Sequence, residues 1–389
     1  MSVWKKLASR YEGKENQKHK LLALDGGGIR GILTLEILAR MEEMLAEATG
    51  EGLDFRLCHF FDYVGGTSTG AIIAAGLARG MSAEELLDFY IKTGPAMFDK
   101  QFILKRWEAL YKSEPLEKEL QKTFKAETTL NPDDLECLLL AVTRNRTTDS
   151  PWPISSNPQS KYNDTSRLDC NLNIPLWKIV RASTAAPVFF PPEVIDWDPS
   201  DESKSFVFVD GGMTPYNNPA FLLYRMATES GYRLNWATGE DKLLLISIGT
   251  GAAATVHDDV GDPDRGLIDN VAGIPNALMF GAMVDQDTSC RHVGRCIHGA
   301  VLDSEIGDMI PRGNDGTKIA LSRDIGRQFL YARYNADLSR VGLDKMGLKD
   351  IEPKNVLKLD SIEYLDDLRR IGRKVAEEIK LEHFGDFIS

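Results

Sequence analysis

Ser68 stands in Gly66-Thr67-Ser68-Thr69-Gly70, directly after the apolar run that starts at Phe61. A Gly-x-Ser-x-Gly turn between a strand and a helix is the pattern of a nucleophile elbow, which holds its serine at the tip with Oγ exposed. Gly66 and Gly70 flank the serine because side chains there would clash where strand and helix nearly touch. A serine that attacks a carbonyl needs a base for its proton, and donors for the oxyanion that develops. Two other stretches offer these groups. Asp210 closes the apolar run Ser205–Val209 and is followed by Gly211 and Gly212, so it is the candidate base. The run Lys20–Leu24 leads through Asp25 into Gly26-Gly27-Gly28-Ile29-Arg30-Gly31. The backbone N–H groups of Gly27 and Gly28, and the helix start at Gly31, are candidate oxyanion donors. Arg30 either fixes that loop or adds positive charge.

Each pattern has a rival reading. Gly-x-Ser-x-Gly alone arises by chance too readily to settle an activity. Gly26-x-Gly28-x-x-Gly31 also fits a dinucleotide fingerprint, but that fingerprint expects an acidic residue at the end of the next strand. Here that strand ends in the serine turn, and no Gly-Lys-Ser/Thr follows for a Walker loop. A triad would need a histidine. His257, after Gly249-Thr250-Gly251, is the placed candidate, and a solvated loop residue is the plainer reading of it. His292 and His298 lie in or just after a helix and are less available.

The elements that must position these groups are legible from periodicity. Lys20–Asp25 is a short apolar strand of the buried, parallel type. Ile32, Leu35, Leu38, Met41 and Leu45 recur at helical spacing, and Gly50 stops that helix. Phe61–Gly65 is the next strand. The unit is βαβ with parallel strands, so the glycine loop and Ser68 leave the same sheet edge, the edge where α/β proteins bind ligands. Further strands are expected at Glu136–Val142, 205–209, Leu243–Ile248 and Phe329–Tyr334. Helices are expected at about 83–92 (capped by Ser82), 176–185, 217–229, 274–293 and 361–381, the last presenting Leu365, Leu368, Ile371, Val375 and Ile379 as a docking face. Residues 149–173 read as a loop, and Arg181–Pro187, built of small residues, as a close-packing helix end.

Composition sets bounds. The chain has 389 residues, 43% hydrophobic and 27% charged, ample for a sizeable core. A net charge of −12 argues against a nucleic-acid binder and against adhesion to anionic membrane by bulk charge. The five cysteines (58, 137, 170, 290 and 296) are read as free thiols in a reducing compartment. Cys290 and Cys296 with His292 and His298 lack the spacing of a zinc site, and a helix carrying small buried thiols is preferred. The acidic loop at Asp258, Asp259, Asp262 and Asp264 lacks calcium-loop spacing. No metal and no cofactor are expected. No secretory signal and no bilayer-spanning run is visible, so a cytoplasmic protein is expected, peripheral at most to the inner face of the membrane. In 94–113 aromatics and bases interleave. Because the bases are not segregated on a wheel, a packed surface helix is favoured over a lid, with transient membrane contact through 98–112 the alternative. A homodimer stays open. Residues 1–19 read as an arm, and 20–389 as one domain with its motifs within 20–250 and an unread C-terminal extension over 260–389.

Taken together the motifs resemble the patatin-like phospholipases: Asp25-Gly26-Gly27-Gly28-Ile29-Arg30-Gly31, then Gly66-Thr67-Ser68-Thr69-Gly70, then Arg181–Pro187, then Asp210-Gly211-Gly212, in that order. The resemblance covers about residues 20–250 and breaks none of the family's core motifs. It implies an α/β fold of three αβα layers around a central, mostly parallel sheet, with a Ser–Asp dyad at its C-terminal edge. It implies Ser68 as nucleophile, Asp210 as base, and Gly27, Gly28 and Arg30 in the oxyanion loop. The implied substrates are acyl esters of membrane or micellar glycerolipids. The alternatives are a thioesterase or acyltransferase on soluble acyl donors, or an effector phospholipase switched on by a cyclic nucleotide in anti-phage defence.

Overall fold

A computed structural model describes residues 2–98, 115–187, 190–198, 200–253, 267–312 and 326–388. His257, the acidic loop at 258–264 and most of the 98–112 stretch lie outside the described residues.

Among the described residues nine strands form one sheet: β1 (His19–Leu24), β2 (Tyr63–Thr67), β3 (Leu138–Asn145), β4 (Ser150–Ser155), β5 (Glu193–Asp196), β6 (Ser205–Asp210), β7 (Leu243–Ile248), β8 (Arg295–His298) and β9 (Leu330–Tyr334). The order is β5-β6-β3-β2-β1-β7-β9-β8, with β4 pairing β3 off this path. The run from β3 through β2, β1, β7 and β9 to β8 is parallel. The ends around β4, β5 and β6 are antiparallel.

The parallel strands are apolar on both faces, and the pleat sorts their side chains into two cores. Leu22, Leu24, Val64, Leu139, Ala141, Leu244 and Ile246 face one way. Against them pack helices α1 (Gly31–Thr49), α2 (Thr69–Ala78), α3 (Ala83–Phe98) and α4 (Leu176–Ser183). Leu21, Ala23, Tyr63, Leu138, Leu140, Val142, Leu243, Leu245 and Tyr331 face the other way, against α5 (Ala220–Thr228) and the N-terminal Trp4, Leu7 and Tyr11. The result is the three-layer αβα sandwich expected. The remaining long helices among the described residues are Pro115–Phe124, α6 (Leu267–Val293) and α7 (Leu365–Ala376). The stripe expected on the C-terminal helix does dock: Leu368, Ile371 and Val375 are buried. Its close approach to α1 needs Gly372, whose β-carbon would lie 2.7 Å from the Leu33 carbonyl oxygen. Arg369 and Arg373 clamp Glu36 of α1 at 2.6 and 3.0 Å.

Some expectations are corrected. The segment 149–173 is not all loop, because Ser150–Ser155 forms β4, whose two prolines obscure it. Such prolines are tolerated away from a ladder's donor positions. The four-residue strand β5 and strand β8 escape notice because they are short. Cys296 therefore lies on β8, not on a helix with Cys290, and all five cysteines are buried free thiols. Helix α3 runs on through Pro95 to Phe98, beyond the expected end near Lys92. Its capping box is closed by Ser82 and Glu85, each side chain bonding the other's amide, at 3.0 and 2.8 Å.

Local pattern leaves the direction of the Asp210 strand open, and the sheet sets it antiparallel to its neighbours. β4 occupies one flank of β3 over Leu140–Asn145. On the other flank β2 pairs Thr67 with Val142, and β6 pairs Asp210 with the next residue, Thr143. Strands β2 and β6 therefore meet end to end on one flank of β3. Ser68 and Asp210 approach head-on, rather than leaving parallel strands side by side.

Candidate active site

Ser68 has φ 55° and ψ −123°, a conformation that a side-chain-bearing residue adopts only when its surroundings force it. The forcing contacts are those of the two glycines. A β-carbon on Gly66 would strike the backbone of Gly70, and one on Gly70 would strike the carbonyls of Leu24 and Asp25. The turn is thus wedged between β1 and its own helix α2. The Ser68 amide donates to Ser183 Oγ at 2.9 Å, and Ser183 Oγ donates to the Val142 carbonyl at 2.6 Å. Ser183 thereby ties the elbow to β3 at the residue where β2 ends. The small-residue run Arg181–Pro187 signals close packing, but not this hydroxyl.

Ser68 Oγ donates to Asp210 Oδ2 at 2.7 Å. The other carboxylate oxygen, Oδ1, accepts the Gly212 amide at 2.6 Å, and the Asp210 amide is held by the Ala185 carbonyl at 2.9 Å. Gly211 must be glycine because a β-carbon would run into the Val142 carbonyl. Asp210 is only 5% exposed. Burial pushes its carboxyl up to about 6, against the opposing bonds from Ser68 and Gly212 and the charge of Arg181. A carboxylate of that pKa is ionised at neutral pH and basic enough to share a proton with a hydroxyl.

The glycine loop lies alongside. A β-carbon on Gly26 would sit 3.3 Å from Ser68 Cβ. The Gly26 amide donates to the Asn217 carbonyl at 3.0 Å, and its carbonyl accepts Thr250 Oγ1 at 2.9 Å. Gly28 has φ +59°, and a β-carbon there would strike the Leu359 carbonyl. Among the described residues the amides of Gly27 and Gly28 have no acceptor, whereas that of Gly31 is spent on Gly28 and Ile29 carbonyls. Arg30 is buried, and its guanidinium faces the carbonyls of Gly27, at 3.4 Å, and Leu357, at 3.2 Å. Burial lowers it to about 10. Arg30 therefore braces the loop against the C-terminal segment.

Beneath the loop, Asp25 bonds Arg333 of β9 through both oxygens, with the Nη1–Oδ1 contact at 2.8 Å. Arg333 Nη1 also donates to Ser247 at 2.6 Å. Burial opposes the charge on Arg333, and Asp25 outweighs it and holds the guanidinium ionised. The C-terminal third, without a motif of its own, thus supplies the counter-charge to the first residue of the glycine-loop motif. No histidine among the described residues bonds Ser68 or Asp210. His298 instead contacts Glu378 at 3.2 Å and stacks on His383. No group of His, Cys, Asp and Glu side chains suited to a metal occurs among the described residues. Among them, too, no helix is long and apolar enough to cross a membrane.

A mostly parallel α/β sheet with a serine held at a strained elbow is the setting of a serine hydrolase. Within that class, the chain belongs to the patatin-like phospholipase family, whose sequence model matches residues 22–224. It is 34% identical over 224 residues to a cGAMP-activated phospholipase of Vibrio cholerae serotype O1, covering 54% of this chain and 58% of that one. It is 27% identical over 250 residues to Patatin-17 of Solanum cardiophyllum, covering 60% of this chain and 61% of that one. These matches span about three-fifths of each relative. The solved structure of VipD from Legionella pneumophila covers 91% of this chain and 67% of that one at 13% identity and a TM-score of 0.33, too low an overall likeness to carry an argument.

Proposed function

We propose that the protein is a lipid acyl hydrolase that cleaves fatty-acyl esters of glycerolipids. The observation that carries the reading is the 2.7 Å bond from Ser68 Oγ to Asp210 Oδ2 at a strained elbow, next to a glycine loop in which two amides have no acceptor among the described residues. Asp210 takes the hydroxyl proton as Ser68 Oγ attacks the ester carbonyl. The oxyanion forms beside the Gly27 and Gly28 amides, already oriented, so little reorganisation is needed at the moment of reaction. Collapse expels the alcohol, which leaves with the proton from Asp210, and an acyl-serine remains. Asp210 then takes a proton from water, whose oxygen attacks the acyl carbonyl. The fatty acid is released and Ser68 regains its proton. Membership of a phospholipase family supports glycerolipids as the substrate class.

The test is release of fatty acid from phospholipid vesicles, with Ser68→Ala and Asp210→Asn as controls and a fluorophosphonate probe on Ser68. Turnover that survives Asp210→Asn but not His257→Ala would replace the dyad with a triad. Hydrolysis of acyl-thioesters in place of vesicle lipid would move the substrate to soluble acyl donors.

The name of the Vibrio cholerae relative favours a second reading, that the hydrolase is switched on by a cyclic nucleotide. Vesicle hydrolysis that stays flat across a panel of cyclic di- and trinucleotides would remove it.

A further inference from the structure

Helix α6 passes the Gly211–Met213 turn that follows Asp210, and there its side chains are all apolar. From Leu278 to Val284 the residues are Leu-Met-Phe-Gly-Ala-Met-Val, with nothing that ionises. Leu278 is 63% exposed, and Met279, Phe280, Met283 and Val284 are half-buried. A β-carbon on Gly212 would lie 3.8 Å from Met279 Cε, and the Gly212 amide is the one that bonds Asp210. One turn along, Met283 Sδ accepts from Asn335 Nδ2 at 3.6 Å. Asn335 Oδ1 in turn accepts the amide of Gly251, next to the Thr250 that holds Gly26. The two methionines, four residues apart, share one helix face. They reach from the Asp210 turn to the support of the glycine loop. A half-exposed apolar strip that starts beside Gly212, whose amide bonds the Asp210 carboxylate, suits a chain leaving the ester carbonyl. Methionine, unbranched and pliable, suits a chain of variable shape.

We propose that Met279 and Met283 form the wall on which the acyl chain of the substrate lies, so that this stretch of α6 sets the preference for chain length. The proposal rests on the ester-hydrolase reading above. Each methylene laid on such a surface is worth a factor of about 4 in kcat/KM.

The experiment compares p-nitrophenyl laurate with p-nitrophenyl butyrate, both below their micellar concentrations, for wild type, Met279→Trp, Met279→Ala and Met283→Ala. The readout is the laurate-to-butyrate ratio of kcat/KM. Met279→Trp fills the space beside the carbonyl and is expected to lower the ratio at least tenfold. Met283→Ala strips wall from the distal carbons, which laurate has and butyrate lacks, and is expected to lower it by a factor of about 4 or more, and Met279→Ala, nearer the carbonyl, lowers it less. Melting temperature and the fluorophosphonate labelling rate of Ser68 check fold and elbow. Should Met279→Trp not fold, the alanine variants carry the test. Ratios within twofold of wild type in every folded variant would overturn the proposal and leave the hydrolase reading intact. A wild-type protein that labels at Ser68 but cleaves neither ester would sink both.

Discussion

Asp210→Asn separates the electrostatic cost of the candidate base from its chemistry. The carboxyl is 5% exposed, and its pKa is pushed up from 3.8 to about 6, chiefly by burial. A shift of that size corresponds to about 3 kcal/mol, at roughly 1.4 kcal/mol per pH unit. The sign follows from linkage. Between the two values the unfolded chain has released the proton and the folded chain still holds it, so folding stability falls as pH rises. The contribution is fully present below 3.8 and is lost as pH passes about 6. Asparagine does not titrate and can keep the bond from the Gly212 amide. The stability of wild type relative to Asp210→Asn should therefore fall by about 2 kcal/mol between pH 4.5 and pH 7.5, and then level off. Urea unfolding of both proteins across that range, preferably in the Ser68→Ala background to exclude acylation, measures it. In the same range wild-type kcat/KM should rise tenfold per pH unit below about 6 and plateau above it, while the asparagine variant, with no base to titrate, should stay flat at about a thousandth of the wild-type plateau. Two stability curves that run parallel, or an activity limb that breaks near pH 4, would refute the argument that burial sets this carboxylate's basicity.

Other outcomes follow from the same geometry. Ser68→Gly relieves a positive φ, so it should raise stability by about 1 kcal/mol in thermal unfolding while abolishing fluorophosphonate labelling. Gly28→Ala puts a β-carbon against the Leu359 carbonyl at φ +59°, so it should cost about 1–3 kcal/mol in urea and depress ester turnover with it. Arg333→Met removes the partner of Asp25, a carboxyl that burial already pushes up, and should cost about 3–5 kcal/mol in urea unfolding, part of which Asp25→Asn should recover. Ser183→Ala removes the link from the Ser68 amide to Val142, so it should lower kcat more than it raises KM in steady-state assays, because the elbow loses its anchor and not its substrate contacts.

Much of this protein is written in local pattern. The βαβ start, the glycine loop and the serine turn each depend on a few neighbouring residues: apolar runs buried on both faces, and glycines where no β-carbon fits. The stripe on the last helix is likewise a property of one helix, and it does bury. What local pattern could not decide was direction and partnership. That β6 runs antiparallel, and meets β2 head-on against β3, depends on pairing between segments more than sixty residues apart. That register alone sets Asp210 one residue beyond Thr67. Asn217, Thr250 and Arg333 carry no motif, and the motif that contains Ser183 does not show its role, because these roles come from carbonyls and carboxylates supplied by distant strands. Gly66-Thr67-Ser68-Thr69-Gly70 dictates a strained turn by itself, since its glycines admit no other packing. Which carboxylate meets the serine, and which buried charge supports the neighbouring loop, only the assembled sheet decides, because hydrogen bonds of 2.7 Å need both ends held in place.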